Sequence, residues 1–406
     1  MRALRLPIAL VGLLVLAWVG WTIVQTTRAD ALAGTDPAAA LRIDPDHPQA
    51  LLRLARKQLE AKDYDAATET ARHVLRVEPG QGDAFAIVAL AAVGRGDANA
   101  ADLIAIAVQR APRTLDVRTQ AMVAALKSGD LAGGMRQLDA MLRLSPRRGT
   151  ILFPAMAQQT ADPAFADVLV DTLARRPPWR RAFLRSLAGK DTPPGAMDRI
   201  YAGLQKRDSL AEPEVRSWLN QTLREGRWGE AYALWIGTLD PKPAQLPAVY
   251  NGGFEQSLTN LGFDWHTPRA AGVFASQESV TGATGVQAAH FHFIGRPAAG
   301  GGLQQPLLLA PGDYRLSLRA KAEFLRSERG LQWIVRCAGG PTIAELGALE
   351  GSFDWETRRV DFTVPADRCP GQWLELRNPA VHGSAQVVSG DLWIDDIAIA
   401  PATPTP

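Results

Sequence analysis

Four prolines, Pro45, Pro79, Pro112 and Pro146, recur at intervals of 34, 33 and 34 residues, closing the similar phrases LRIDP, LRVEP, VQRAP and LRLSP. A second ladder keeps step with them: Lys62-Asp63, Gly96-Asp97 and Gly129-Asp130. A fixed period of this length admits few architectures, because one such unit cannot bury its own apolar face and must stack on its neighbours. Within one period, Leu51, Leu54, Ala55 and Leu59 share a face of a first helix, and Tyr64, Ala67, Ala71, Val74 and Leu75 stripe a second. Lys62-Asp63 turns between them, and Pro79, which lacks a backbone donor, stops the second helix. The next period repeats the scheme with Phe85, Val88 and Ala89, then Ala101, Ile104, Ala105 and Val108. The third uses Val117 and Ala121, then Met135, Leu138 and Leu142. The expectation is an α-solenoid of helix hairpins over 37–146.

These residues resemble the tetratricopeptide repeat. Ala67 and Pro79 stand at that family's alanine and closing proline, and Ala101 with Pro112 repeat the pair. Leu51 and Phe85 replace its tryptophan, Ala55 and Ala89 its glycine, and Gly134 its alanine, so the array is divergent. The resemblance implies protein partners docked on the concave face; the sequence does not say through which side chains.

Ahead of the array, Pro7–Val24 is an uncharged run of 18 residues preceded by Arg2 and Arg5, with Trp18 and Trp21 towards its far end. That is about the shortest length that spans a bilayer, with the charge placement of a signal anchor. The small-x-small triplet Ala31-Leu32-Ala33 keeps a cleaved signal peptide as the competing reading. Residues 1–29 are expected to be a cytoplasmic tip and single-pass anchor. With an Ala- and Arg-rich composition, this puts the chain at a bacterial inner membrane with its bulk in the periplasm.

The chain has 406 residues, enough for two or three domains, and a formal net charge of +2. Near-neutrality excludes the basic footprint of a nucleic-acid binder. Its only cysteines, Cys337 and Cys369, form no metal-ligand cluster; they are either reduced thiols or one disulfide, and an exported location favours the disulfide.

Over 147–245 the proline ladder fades while helical period persists. Trp179, Phe183, Leu184 and Leu187 form one stripe, and Trp218, Leu219 and Leu223 another, with Trp228, Tyr232 and Trp235 after it. This extension reads as degenerate repeats. Its RRPPWRRAF phrase is either a solvated helix start or a contact for anions.

From Asp240 the composition turns to Pro and Gly, and the period becomes two: Tyr314, Leu316 and Leu318, then Val360, Phe362 and Val364, then Leu392 and Ile394 ahead of a bulge at Asp395–Asp396. Residues 246–400 are expected to be a β-sandwich, with 401–406 a tail. NGGFE (251–255), FDW (263–265), APGDYRLSLRA and LWIDDIAI (392–399) resemble jelly-roll carbohydrate-binding modules. In those modules the first and last strands lie side by side and often carry a structural calcium. Carried over, the resemblance points to Glu255 with Asp395 or Asp396; the competing reading is that these carboxylates bind turn backbone without metal. A sugar face needs an aromatic platform with polar neighbours. Alternation puts Trp373 on the same side of its strand as Glu375 and Arg377, and His290 with His292. With Arg336, these six residues are the candidate polysaccharide face, against the alternative that Trp373 is packing and the histidines are merely exposed.

No nucleophile elbow, zincin motif or P-loop occurs, so a non-enzyme is expected. The order anchor, repeats, helical extension and sugar-module-like sandwich resembles exported repeat proteins that accompany bacterial exopolysaccharide synthesis and secretion. Two other readings compete with such a scaffold: a polysaccharide-binding protein proper, and an assembly factor or chaperone.

Overall fold

The computed structural model describes residues 5–190, 192–240, 246–379, 385–402, with side chains from Leu13 onwards. The expected cytoplasmic tip, part of the proline-rich linker and most of the tail lie outside the described residues. The architecture is α then β: helices over the first part of the chain, then two antiparallel sheets. The chain divides into two compact units, Met1–Ser209 and Leu210–Pro406.

The first unit begins with α1 (Arg5–Ala33) and α2 (Pro37–Ile43). The repeats follow as pairs: α3 (Pro48–Glu60) with α4 (Tyr64–Val77), α5 (Gly82–Arg95) with α6 (Ala100–Arg110), and α7 (Leu115–Lys127) with α8 (Leu131–Leu144). The apolar stripes read from the sequence are the buried ones. Leu51, Ala55, Ala67, Ala71 and Val74 pack with Ala84, Ile87 and Val88 of the next pair. Ala86 and Ala89 pack with Ile104, Ala107 and Val117 of the pair after. The first two hairpins thus each share a core with their successor, as one-dimensional stacking requires.

The second ladder has a conformational cause. Lys62, Gly96 and Gly129 all adopt the left-handed conformation, with φ of 62°, 75° and 79°. This reverses the chain at the end of each first helix. The following aspartate then caps the second helix in two of the three turns: Asp63 Oδ1 accepts from Ala66 N, and Asp130 Oδ1 from Gly133 N. Asp97 instead pairs with Arg95 at 2.7 Å, and Asn99 takes the cap position.

The expectation of a membrane anchor is overturned. α1 runs without a break from the apolar stretch through Gln25, Thr26, Thr27, Arg28 and Asp30. No helix among the described residues is long and apolar enough to cross a membrane. The end of α1 is instead the first wall of the helical array. Ala33 packs with Ala40 and Ala50, and Asp30 meets His47 at 2.9 Å. The placement as a single-pass inner-membrane protein with its bulk in the periplasm falls with the anchor.

After α8 come α9 (Gly149–Gln159), α10 (Pro163–Ala174), α11 (Arg180–Ser186) and α12 (Ala196–Lys206). Of the RRPPWRRAF arginines, Arg180 is buried and donates to the carbonyls of Leu173 and Ser209 and to Ser209 Oγ. It is a structural tie within the unit.

The second unit opens with α13 (Glu212–Arg224) and α14 (Trp228–Ile236), so these helices belong with the sandwich and not with the repeats. The strands are β1 (Val273–Glu278), β2 (Ala288–Pro297), β3 (Gly300–Leu307), β4 (Gly312–Arg326), β5 (Leu331–Cys337), β6 (Thr342–Leu349), β7 (Gly351–Val364), β8 (Gln372–Arg377) and β9 (Val387–Pro401). They form a sheet of order β1-β2-β9-β4-β7 and one of order β3-β8-β5-β6. Phe291, Phe293, Leu316, Leu318, Trp333, Leu374, Leu376 and Leu392 fill the space between the sheets. The opening NGGFE segment meets the closing strand: Ile397 N donates to Gly252 O at 2.9 Å, and a Cβ on Gly252 would stand 2.0 Å from Ile397 O. The expected bulge is present at Asp396, which has φ of 51°. Cys337 and Cys369 form a disulfide with Cα atoms 4.9 Å apart, tying the end of β5 to the loop before β8.

Replacing Gly96 or Gly129 with alanine forces a Cβ into the left-handed region, and each variant should lose about 1–2 kcal/mol in urea denaturation. Breaking the disulfide with Cys337→Ser and Cys369→Ser should cost about 3–4 kcal/mol by loop entropy, read as a lowered melting temperature of the β unit.

Candidate functional site

Strand β8 alternates as the sequence suggested. Gln372, Leu374 and Leu376 are buried, while Trp373, Glu375 and Arg377 face outward. β8 is central in its sheet, so its outward residues meet neighbours on both sides. On β5, Arg336 lies opposite Trp373, Ile334 opposite Glu375 and Gln332 opposite Arg377. On β3, Gln304 lies opposite Glu375. Glu375 is held between two guanidinium groups: its Oε1 accepts from Arg336 Nε at 2.6 Å and lies 3.0 Å from Arg377 Nη2. Its side chain is only 13% exposed, whereas that of Arg377 is 50% exposed. The pair therefore combines a fixed acceptor with an accessible donor.

His266 extends this face, bridging to Gln304 through two backbone hydrogen bonds of 2.7 and 3.0 Å. Burial pushes the His266 pKa below its ordinary value, so the imidazole is neutral and donates Nε2–H to Gly262 O at 2.7 Å. Trp373 is half-buried. Its ring meets Trp228 of α14 edge-on at 5.7 Å and His266 at 6.4 Å. It is both packing and lining, which combines the two readings of it.

Two hollows adjoin on this face and share Gln304. One, of about 450 Å³, is lined by Pro268, Ala270, Gly300, Gly302, Glu375, Arg377, Asn378 and Pro379. The other, of about 560 Å³, is lined by Asn220, Arg224, Trp228, His266, Gly339, Pro370 and Trp373. Together they make a trough along the outward side of β8, with an indole at one end and a carboxylate–guanidinium pair at the other.

The structure brings together four of the six expected residues, Trp373, Glu375, Arg377 and Arg336, and separates the other two. His290 and His292 lie on β2, in the other sheet. Alternation fixes which residues of one strand share a side, but not which sheet receives the strand. Both imidazoles converge on Asp391 Oδ1, at 2.8 and 2.7 Å, and His290 also meets Glu278 at 3.2 Å. His290 stacks on Trp393, ring centroids 4.7 Å apart. Burial acts to raise the Asp391 pKa, but the two histidine hydrogen bonds outweigh it and hold the carboxyl below its ordinary range.

Glu255 and Asp395 grip the loop that precedes β2. Glu255 Oε1 accepts from the backbone amides of Val286 and Gln287, and these bonds lower its pKa. Asp395 is buried, which raises its pKa, and it accepts from Thr284 N and Asp396 N, both at 2.7 Å. Among the described residues no three carboxylate, imidazole or thiolate groups come together at a metal-sized site. Three carboxylate oxygens of Glu255 and Asp395 are thus engaged by backbone amides. Sequence reasoning missed Gln304 and His266; their only signal was proximity to FDW and to a Gly-rich strand.

A tetratricopeptide-repeat family model matches residues 38–91. No curated protein matches the chain. Among solved structures, the chain is similar to a CBM4 module at 16% identity and a TM-score of 0.28, covering 38% of this chain and 99% of that one. It is similar to the CBM22-1 xylan-binding domain of Paenibacillus barcinonensis Xyn10C at 15% identity and 0.27, covering 37% and 94%. It is also similar to TmCBM61, solved with beta-1,4-galactotriose, at 17% identity and 0.26, covering 39% and 100%.

Asp395→Ala leaves two backbone amides unpaired and should destabilise the β unit by about 1–3 kcal/mol. If the carboxylates serve only as loop ties, the loss should be the same with calcium or with a chelator, which parallel thermal melts would check.

Proposed function

We propose that the protein is a non-catalytic scaffold that docks protein segments on its helical repeats and holds a polysaccharide strand in the trough along β8. The observation that carries the sugar reading is the trough itself. An aromatic ring, a neutral imidazole, a two-way amide at Gln304 and the Glu375–Arg377 pair lie in one concave line. Sugars offer an apolar ring face for stacking and hydroxyls that both donate and accept, and this set answers each need. The protein-docking reading is supported by the tetratricopeptide-repeat match over 38–91. The two activities together suit a part in exopolysaccharide synthesis or secretion, where a polymer must be held beside the proteins that make or export it. The convergent carboxylate pair of a glycosidase is not part of this reading, since Glu375 is committed to two arginines.

Affinity gel electrophoresis of the full chain against a panel of soluble polysaccharides tests the sugar reading. The wild type should be retarded by at least one polymer. Arg377→Ala and Gln304→Ala, which touch little of the core, should weaken that retardation by about tenfold, the cost of one or two lost hydrogen bonds. Unchanged migration of both variants, with their melting temperatures intact, would remove the trough from consideration.

A further inference from the structure

The outward side of the five-stranded sheet presents two phenyl rings to solvent. Phe274 on β1 is 65% exposed and Phe324 on β4 is 75% exposed. Each has a reason to be where it is. Phe274 lies directly opposite His292 in the β1–β2 register, so it shares that residue's face. Phe324 is turned outward by a bulge. Along β4 the burial alternates until Ala322 and Leu325, both buried, enclose Glu323 and Phe324, both exposed. The register with β9 shifts between Glu323 and Arg326. An extra residue therefore sits outward, and its φ of 51° is a strained value for an aromatic side chain.

The two rings flank a polar row. The pairings run Phe274–His292, His292–Asp391 and Asp391–Glu323 across β1, β2, β9 and β4. Three strand spacings separate the ends of the row, about 14 Å. The row is internally bonded: both histidines bond to Asp391, and Lys321 meets Glu323 at 3.0 Å. Asp391, Glu323 and Glu278 would repel a polyanion, while the bonded groups still offer donors and acceptors, which suits a neutral polyhydroxyl chain. Two exposed aromatics bracketing such a row form a stacking platform at each end and hydrogen-bonding groups between.

We infer that this face is a second polysaccharide-binding site, for a neutral glycan strand laid across the strands from Phe274 to Phe324. It rests on the trough reading only for the class of ligand. Because the trough belongs to the other sheet, the sandwich then grips two strands at once and cross-links the polymer.

The test uses the full chain, the Phe274→Ala/Phe324→Ala double variant and the trough variant Arg377→Ala, with a soluble neutral polysaccharide that retards the wild type. Gel retardation reads binding, and light scattering of the mixture reads cross-linking. The wild type should raise the scattering. The phenylalanine double variant, with its melting temperature unchanged, should keep measurable retardation, weakened about tenfold or more by lost avidity, and abolish the scattering rise. Wild-type retardation and scattering from the double variant, beside lost retardation in Arg377→Ala, would overturn the second site and leave the trough standing. Retardation lost only in the double variant would support this face and sink the trough. A wild type retarded by no polysaccharide would overturn both.

Discussion

Burial of Leu374 and Leu376 between the two sheets is the constraint on which the candidate site depends. Each side chain gains about 1.5–3 kcal/mol from leaving water. A one-residue slip of β8 would expose both and turn Trp373, Glu375 and Arg377 into the core. Two leucines thus hold three polar or amphipathic side chains outward, in a fixed order, along a central strand. The Glu375–Arg336 bond then locks β8 to β5 from the outside. The disulfide closes the same strand pair at one end, from Cys337 to Cys369. Core packing sets the direction of the side chains, and polar pairing sets their positions.

The helical unit obeys a different rule. Small residues decide it: Ala55, Ala67, Ala71 and Ala89 are fully buried and let paired helices approach closely. Gly94 shows the limit of that closeness, since a Cβ there would stand 2.4 Å from the Tyr64 ring. Because the first two hairpins each share a core with the next, stability is a sum of neighbour terms. α1 and α2 supply the first of these, through Ala33, Ala40 and Ala50.

Much of this was legible in the sequence, because periodicity reports directly on burial. The repeat boundaries, the helix stripes, the β4 and β8 alternations and the bulge at Asp396 all follow from spacing. What spacing does not report is which surface an element packs on. α13 and α14 have the period of repeat helices, yet Trp228 and Trp235 pack with Phe263, Tyr250 and Trp373 in the β unit. His290 and His292 alternate correctly but enter the other sheet. The apolar run at the start suggested a bilayer span, while the helix that contains it continues into charged residues and a packed end. Phe324 was hidden for a related reason: one inserted residue in β4 breaks the alternation that would have assigned it to the core.

The backbone bond between Gly252 and Ile397 brings the opening segment of the sandwich against its closing strand. The peptide enters and leaves the strand framework at one point. A circularly permuted chain, joined there by a short linker and opened at a distant turn outside the trough, should therefore keep both sheets intact. In evolutionary terms, such a framework is a portable cassette, able to be spliced into a host loop without disturbing the host's own path.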